Sequence, residues 1–590
     1  MGMGFAVTGE ARAGPATEPE PAQDDRSAPP GKRPGKRPGK RFRRTRGYLS
    51  RYLTRFSLPG LTGALVCYCL SLTPSLLPRA WIIQAVVSGL TAAIGYAIGV
   101  FLGWLARTLI PWRPRQRVRT AARWTLAGAG VILVPLFAVL GARWQHQVRE
   151  LLGADQPGEN RYVFVVGVSI AVAAALLGIA RALWWAVRWV ARLLGRFLSP
   201  AMATAAALIV VCVVLGLLVS GVLVPFVSGR VDAIFSGVDG TTAAGVVQPA
   251  ASERSGSPAS YVPWPTLGRQ GRTFVASGPT TAQISAFTGE PAEEPIRVYA
   301  GLKSARSIPA EAALAVRELD RTGAFDRKVL VVATTTGTGW VNREMVDPVE
   351  YMYDGDTAVA AIQYSYLPSW ISFLVDKDPA QEAGRDLFNA VYDHWQQLPA
   401  GHRPKLVVLG ESLGSFGGEA AFSGTDDIRD RASGILWVGP TNSNALWSRF
   451  VSTRDPGTPE WRPVYQNGQT VRFADSPADL DPSSPAWLRP RVVYLQNATD
   501  PIVWWSPLLA FHRPGWLNGS RGPGVSPSLQ WYPLVTFWQV TADMADSTSV
   551  PPGTGHVYST LEGASAWASI IPPPGWTPER TAALARQPAG

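Results

Sequence analysis

Cysteine is nearly absent from this chain of 590 residues: there are three, Cys67, Cys69 and Cys212, and all lie inside apolar runs. That argues against a disulfide framework and against a cysteine-built metal site. The half after residue 290 contains none, which fits an extracytoplasmic location. Histidine is scarce too, at five, so the choice of a general base is narrow. Charge is missing from long stretches between residues 57 and 229, whereas charged, apolar and turn residues mix after residue 290 as in a globular domain. The net charge of +12 comes from basic residues concentrated in Lys32 to Arg55 and between the apolar runs. This is the placement of membrane-topology signals and not of a nucleic-acid-binding face, so no nucleic acid partner is expected.

Residues 1–46, which include Gly-Lys-Arg-Pro repeats, cannot bury enough apolar surface to fold and read as a disordered basic cytoplasmic tail. The first apolar run begins too late and is too long for a cleavable signal, so none is expected. Residues 47–229 read as a membrane domain, because five stretches pass the test of roughly 20 consecutive uncharged, mainly apolar residues that a spanning helix needs. They are Ser57 to Pro78, Ala80 to Leu105, Trp124 to Ala142, Tyr162 to Ala180 and Phe197 to Gly229. Residues 182–196, with three tryptophans among arginines, read as an interfacial helix. Arginine is dense before the first stretch, at 107–123 and at 181–196, and sparse in the alternate connections. Positive residues mark the cytoplasmic side. An inside N-terminus and an odd number of spans then place everything after residue 230 outside the plasma membrane.

Residues 230–260 are rich in Gly, Ser, Thr and Ala and read as an extracytoplasmic linker. In 261–590, short apolar runs alternate with helical periodicity. Strands are expected at Ile296 to Ala300, Val329 to Thr334, Val359 to Tyr364, Lys405 to Leu409, Ile435 to Val438 and Arg491 to Leu495. Strands alternating with helices imply a mostly parallel sheet with helices on both faces. The Trp-, Pro- and Asp-rich stretch at about 441–490 occupies the position of a cap insertion.

The strand from Lys405 runs directly into Gly410-Glu411-Ser412-Leu413-Gly414, a Gly-x-Ser-x-Gly pattern. Such a sharp strand-to-helix turn exposes a serine nucleophile, and its glycines relieve the crowding. Serine needs a base oriented by a carboxylate. His146 lies between apolar runs, while His394 and His402 precede the Ser412 strand, leaving His512 and His556. His556, in a Gly-rich loop after the last strand, is the preferred base. Asp500, just past the strand at Arg491 to Leu495 and followed by Pro501, is the preferred acid. The order Ser412, Asp500, His556 is that of α/β-hydrolases. Oxyanion donors are expected at Leu413 and in the turn after Val329 to Thr334, where Thr335, Thr336 and Gly337 are open alternatives. That turn lacks the lysine of a phosphate-binding loop.

The motifs Leu267-Gly-Arg-Gln-Gly-Arg-Thr-Phe274, Thr334 to Gly339, Gly410 to Gly414, Asn497 to Asp500 and Gly555-His556 resemble those of a family of actinobacterial membrane proteins. That family joins a multi-helix N-terminal region to a C-terminal α/β-hydrolase domain, and the resemblance covers roughly residues 55–575. It implies an α-helical membrane bundle followed by an α/β-hydrolase, acting as a membrane-anchored serine esterase. Proteins similar to the family remove aminoacyl groups from phosphatidylglycerol or related lipids, so aminoacyl-phosphatidylglycerol is the first substrate and lipid partner to consider. No cofactor and no metal is implied. An acyltransferase on the same residues and a non-catalytic membrane scaffold are the rival readings, and oligomeric state is open.

Overall fold

The computed structural model describes residues 56–110, 115–156, 161–368, 372–373, 377–481 and 486–587, so the basic tail expected at 1–46 lies outside the described residues. The N-terminal part is helical. Helix α1 spans Leu58–Ser71, α2 Trp81–Leu109, α3 Gln116–Leu152, α4 Val163–Leu194 and α5 Pro200–Leu218. A π-helical turn, Val219–Leu223, carries α5 into α6, Val224–Asp239.

Among the described residues, four helices are long and apolar enough to cross a membrane: α2, α3, α4 and Pro200–Val222. They display large apolar side chains outward, among them Val131, Ile132 and Ile209. Such faces are compatible with membrane association. The first expected span, Ser57 to Pro78, instead holds the 14-residue α1. At 1.5 Å per residue it is about 21 Å long, short of a hydrocarbon core. Pro74 and Pro78 cannot continue it, so the chain turns back at Ser71. The segment 182–196 is likewise no separate interfacial element, because α4 continues through it to Leu194.

Helices α1 and α2 cross at glycines. A Cβ on Gly63 would lie 2.1 Å from the Gly95 carbonyl oxygen, and one on Gly95 would lie 2.3 Å from that of Gly63. Glycine at both positions lets the backbones touch. The α1–α2 turn then enters the C-terminal part of the chain. Arg79 Nε donates to Asp543 Oδ1 at 2.7 Å, with both side chains fully buried. Ser75 Oγ and the Leu76 amide donate to Asp543 Oδ2. Gln539 Nε2 donates to the carbonyls of Ser71 and Thr73.

The C-terminal part is built on one seven-stranded sheet, ordered β1-β3-β2-β4-β5-β7-β6. The strands are β1 Ile296–Ala300, β2 Val329–Thr334, β3 Thr357–Ile362, β4 Lys405–Glu411, β5 Gly434–Val438, β6 Val471–Ala474 and β7 Arg491–Leu495. Every pairing is parallel. Helices cover the sheet, so its strands are apolar runs rather than alternating patterns. Among them, Ile308–Thr322 packs on Asp378–Trp395 and Arg343–Met352 on Thr560–Ile570.

Two segments differ from their sequence readings. The stretch at 230–260 is no loose tether. Helix α6 fills its start, and Ser255 is fully buried against β1, donating its amide to the Arg297 carbonyl at 3.0 Å. The stretch at 441–490 contributes β6 to the sheet edge. Arg472 interrupts the apolar character of β6, but its guanidinium lies 4.1 Å from the Trp487 ring and donates to the Gly468 carbonyl.

The buried Arg79–Asp543 pair yields a stability prediction. Asp543→Asn keeps the shape but leaves the Arg79 charge unpaired, a change expected to cost about 3–5 kcal/mol. Equilibrium unfolding in mixed micelles measures this. The double variant Arg79→Met/Asp543→Leu should recover most of the loss.

Candidate active site

The carboxyl ends of β2, β4 and β7 meet at one edge of the sheet, the edge where open parallel sheets bind ligands. Ser412 follows β4 and immediately precedes the helix Leu413–Glu419, with φ 54° and ψ −123°. Its amide donates to the Val438 carbonyl at 2.8 Å, which holds the turn. The flanking glycines are required by close approach. A Cβ on Gly410 would lie 2.5 Å from the Gly414 carbonyl oxygen, and one on Gly414 would lie 2.3 Å from the Thr334 carbonyl oxygen.

Asp500 follows β7 and is fully buried. Its Oδ1 accepts the Ile502 amide at 2.8 Å and so caps the short helix Pro501–Trp504. Its Oδ2 lies 2.6 Å from His556 Nδ1 and accepts the Tyr558 hydroxyl at 2.8 Å. The His556 loop is fastened on several sides. The His556 amide donates to the Ser547 carbonyl at 2.8 Å, the Gly555 amide to Thr499 Oγ1 at 2.9 Å, and Asn497 Nδ2 to the Gly555 carbonyl at 3.0 Å.

Burial opposes protonation of His556, yet the charge and hydrogen bond of Asp500, joined by the charge of Glu411, outweigh it and raise its pKa. Glu411 is pushed up to about 7 by burial, against the pull of His556 and of the Asn342 amide group. Asn342 Nδ2 donates to Glu411 Oε2 at 2.7 Å.

Ser412, Leu413, Glu411, Thr336 and His556 line one cavity of about 340 Å³. Trp340, Phe373, Thr441, Ile502, Met544 and Thr548 complete much of its wall. The segment between β7 and His556 supplies Ile502, Met544, Ala545, Ser547 and Thr548 to this lining, and the stretch at 441–490 supplies Thr441. No hydrogen bond joins Ser412 Oγ to His556 among the described residues, and such bonds commonly tighten only when substrate is bound.

Of the candidate oxyanion donors, Leu413 opens a helix, so its N–H has no intrahelical acceptor. The Thr336 amide donates to the Trp340 carbonyl at 3.0 Å, leaving its hydroxyl as the group that can face the cavity. Thr335 and Gly337 do not line the cavity. The Thr335 hydroxyl donates to the Ile362 carbonyl at 2.9 Å. His512 is exposed and does not line it either. His394 stacks on Phe325 and pairs with Asp320 at 2.9 Å. Tyr558 and the Met544 to Thr548 wall were missed by sequence reasoning, since a tyrosine two positions past a histidine carries no motif.

The charge arrangement predicts a direction of titration. Glu411→Gln removes a negative charge that favours the imidazolium, so the His556 titration should move to lower pH. Histidine NMR measures it, and an unchanged or raised midpoint would contradict the assignment.

Comparison with known proteins agrees with this architecture. Residues 296–584 match a family model described as an alpha/beta-hydrolase family, and residues 72–279 match one described as the N-terminus of an alpha/beta-hydrolase family. No curated protein and no solved structure matches the chain. A seven-stranded parallel sheet with a serine at the turn after β4, preceded by the helical region the companion model covers, makes the chain a member of this alpha/beta-hydrolase family.

Proposed function

We propose that the protein is a membrane-anchored serine esterase that works through an acyl-enzyme. The observation carrying this reading is the shared cavity: Ser412 sits at a turn with positive φ, facing the same space as a His556 whose Nδ1 is held by buried Asp500. With Nδ1–H directed at Asp500, Nε2 is the free base. It takes the proton of Ser412 as Oγ attacks the ester carbonyl, and Asp500 steadies the imidazolium that results. Tyr558 keeps the second lone pair of Asp500 Oδ2 occupied. The Leu413 amide and the Thr336 hydroxyl supply donors for the developing oxyanion. Collapse of the intermediate breaks the ester C–O bond, and His556 returns the proton to the departing alcohol. Water then attacks the acyl-enzyme by the same route and releases the acid.

An aminoacylated phospholipid, with aminoacyl-phosphatidylglycerol as the first example, is the substrate we favour. Glu411 places a buried carboxyl beside Ser412, and its Oε2 accepts a hydrogen bond from the neutral amide of Asn342. A substrate ammonium group complements such a site.

The same reading makes the protein a multi-pass protein of the plasma membrane with its hydrolase outside. The helix Val535–Asp543 and the loop at Gly524 pack at the bundle end that carries the α1–α2 turn and the end of α3, where Asp543 holds Arg79 and a Cβ on Gly524 would lie 2.9 Å from Leu152. Arg107, Arg115, Arg117 and Arg119 lie at the other end, as do Arg188, Arg192 and Arg196. Positive residues stay inside. The proposed orientation is supported by the helix ends that the hydrolase touches together with the placement of the arginines.

Ser412→Ala should abolish fluorophosphonate labelling and lower ester turnover on the order of 10⁴-fold or more. His556→Ala should do nearly the same, while His512→Ala should leave labelling intact. Lipid mass spectrometry of cells with active and Ser412→Ala protein would identify the accumulating ester. Labelling that persists without Ser412 would overturn the assignment.

Orientation is tested with single cysteines after Cys67, Cys69 and Cys212 are replaced by alanine. An impermeant maleimide should label Val247→Cys, a site 76% exposed, in intact cells and should not label Arg115→Cys. The opposite pattern would place the hydrolase inside.

A further inference from the structure

A second cavity, of about 280 Å³, lies between the first turns of α2 and the helix Val535–Asp543. Ile82, Val86 and Leu90 form one side, and Trp538, Thr541 and Ala542 the other. Among the described residues no charged side chain lines it. Ile82 and Val86 are 51% and 46% exposed, so the cavity is a groove open along its length. One wall belongs to a helix long and apolar enough to cross a membrane. The other leads to the candidate active site, because Ala542 faces the groove while Met544 and Ala545 line the Ser412 cavity. Asp543, between them, is locked to Arg79 just ahead of α2. The two spaces thus share a wall that is fixed to the membrane-type helix.

We infer that this groove seats a hydrocarbon chain of a membrane lipid whose ester enters the Ser412 cavity. The inference rests on the reading of Ser412 as nucleophile and of α2 as a membrane helix. The apolar lining selects the occupant. A head group or an extended peptide would lose hydrogen bonds there that the groove cannot replace, whereas an alkyl chain loses none. Beyond the groove α2 exposes further apolar side chains, Ile98, Phe101 and Leu102, so a lipid chain lying along this helix stays on apolar surface. Groove and bilayer are equally apolar, so the groove supplies position rather than affinity. It sets which bond of the lipid arrives at Ser412 Oγ, and the gain lies in orientation.

The test uses full-length protein in phosphatidylcholine–phosphatidylglycerol vesicles and two probes, ethyl and hexadecyl fluorophosphonate. Each forms a Ser412 Oγ–P bond and expels fluoride, His556 taking the serine proton. In Val86→Trp and Ala542→Trp the hexadecyl-to-ethyl ratio of labelling rates should fall at least tenfold from wild type. Leu217→Trp, on an exposed face of α5, should leave the ratio unchanged. A wild-type measurement guards against misfolded variants. A diazirine at the tip of the hexadecyl probe, photolysed after labelling, should attach to peptides containing residues 82–90 or 538–542. Attachment confined to other peptides, or an unaltered ratio in both groove variants, would overturn the inference and leave the groove to a protein partner. Failure of either probe to label wild type would instead count against Ser412 as nucleophile.

Discussion

The ion pair between Arg79 and Asp543 is the constraint on which the two halves of the molecule depend. The partners are 464 positions apart in sequence and both are fully buried. A charge withdrawn from water is tolerable only with its partner in place, so the α1–α2 turn and the helix Val535–Asp543 have one permitted register. The consequences run into the site. Asp543 leads directly to Met544, Ala545, Ser547 and Thr548 in the cavity wall, and Ser547 accepts the His556 amide. A Cβ on Gly555 would lie 3.4 Å from Leu77 of the same turn. The N-terminal helices are therefore part of the scaffold that places the imidazole.

A second constraint acts at the sheet edge, where three loops deliver side chains from strands far apart in sequence. Ser412 holds a backbone conformation that L-residues rarely adopt, of a kind that costs about 1–3 kcal/mol. It persists because the Ser412 amide is bound to Val438 and because glycine at 410 and 414 lets neighbouring carbonyls approach. Asp500 is fully buried, and the Ile502 amide, the Tyr558 hydroxyl and His556 together occupy its two oxygens. Strain and buried charge are both offset by hydrogen bonds that only the assembled edge provides.

The sheet was legible in the sequence because buried parallel strands are unbroken apolar runs. β1, β2 and β7 fall on the residues expected for them. β3 begins two residues earlier than its apolar run suggests, since pairing aligns Ala358 with Ile296 and Leu330. Edge strand β6 was hidden, because four residues including Arg472 carry too short a pattern. The carboxylate and histidine now facing each other were chosen by position after the last strand, a local cue. Tyr558 and the partners of Thr335 and Thr336 depend on how separate loops fold against one another, and no local pattern encodes that.

Sequence alone determined the chemical types available: one serine in a Gly-x-Ser-x-Gly turn, few histidines, a run of apolar helices, and arginines gathered in alternate connections. These are properties of short windows, governed by the periodicity of burial and by charge. Tertiary structure decided the rest. Where Pro74 and Pro78 end the first expected span, it fixed the turn after α1 by burying Ser75 and Arg79 against Asp543. It packed the expected linker along β1, since Ser255 there satisfies backbone groups that an edge strand leaves open. In each case the deciding partner lies in a distant part of the chain, and a contact of that range has no signature in the residues on either side.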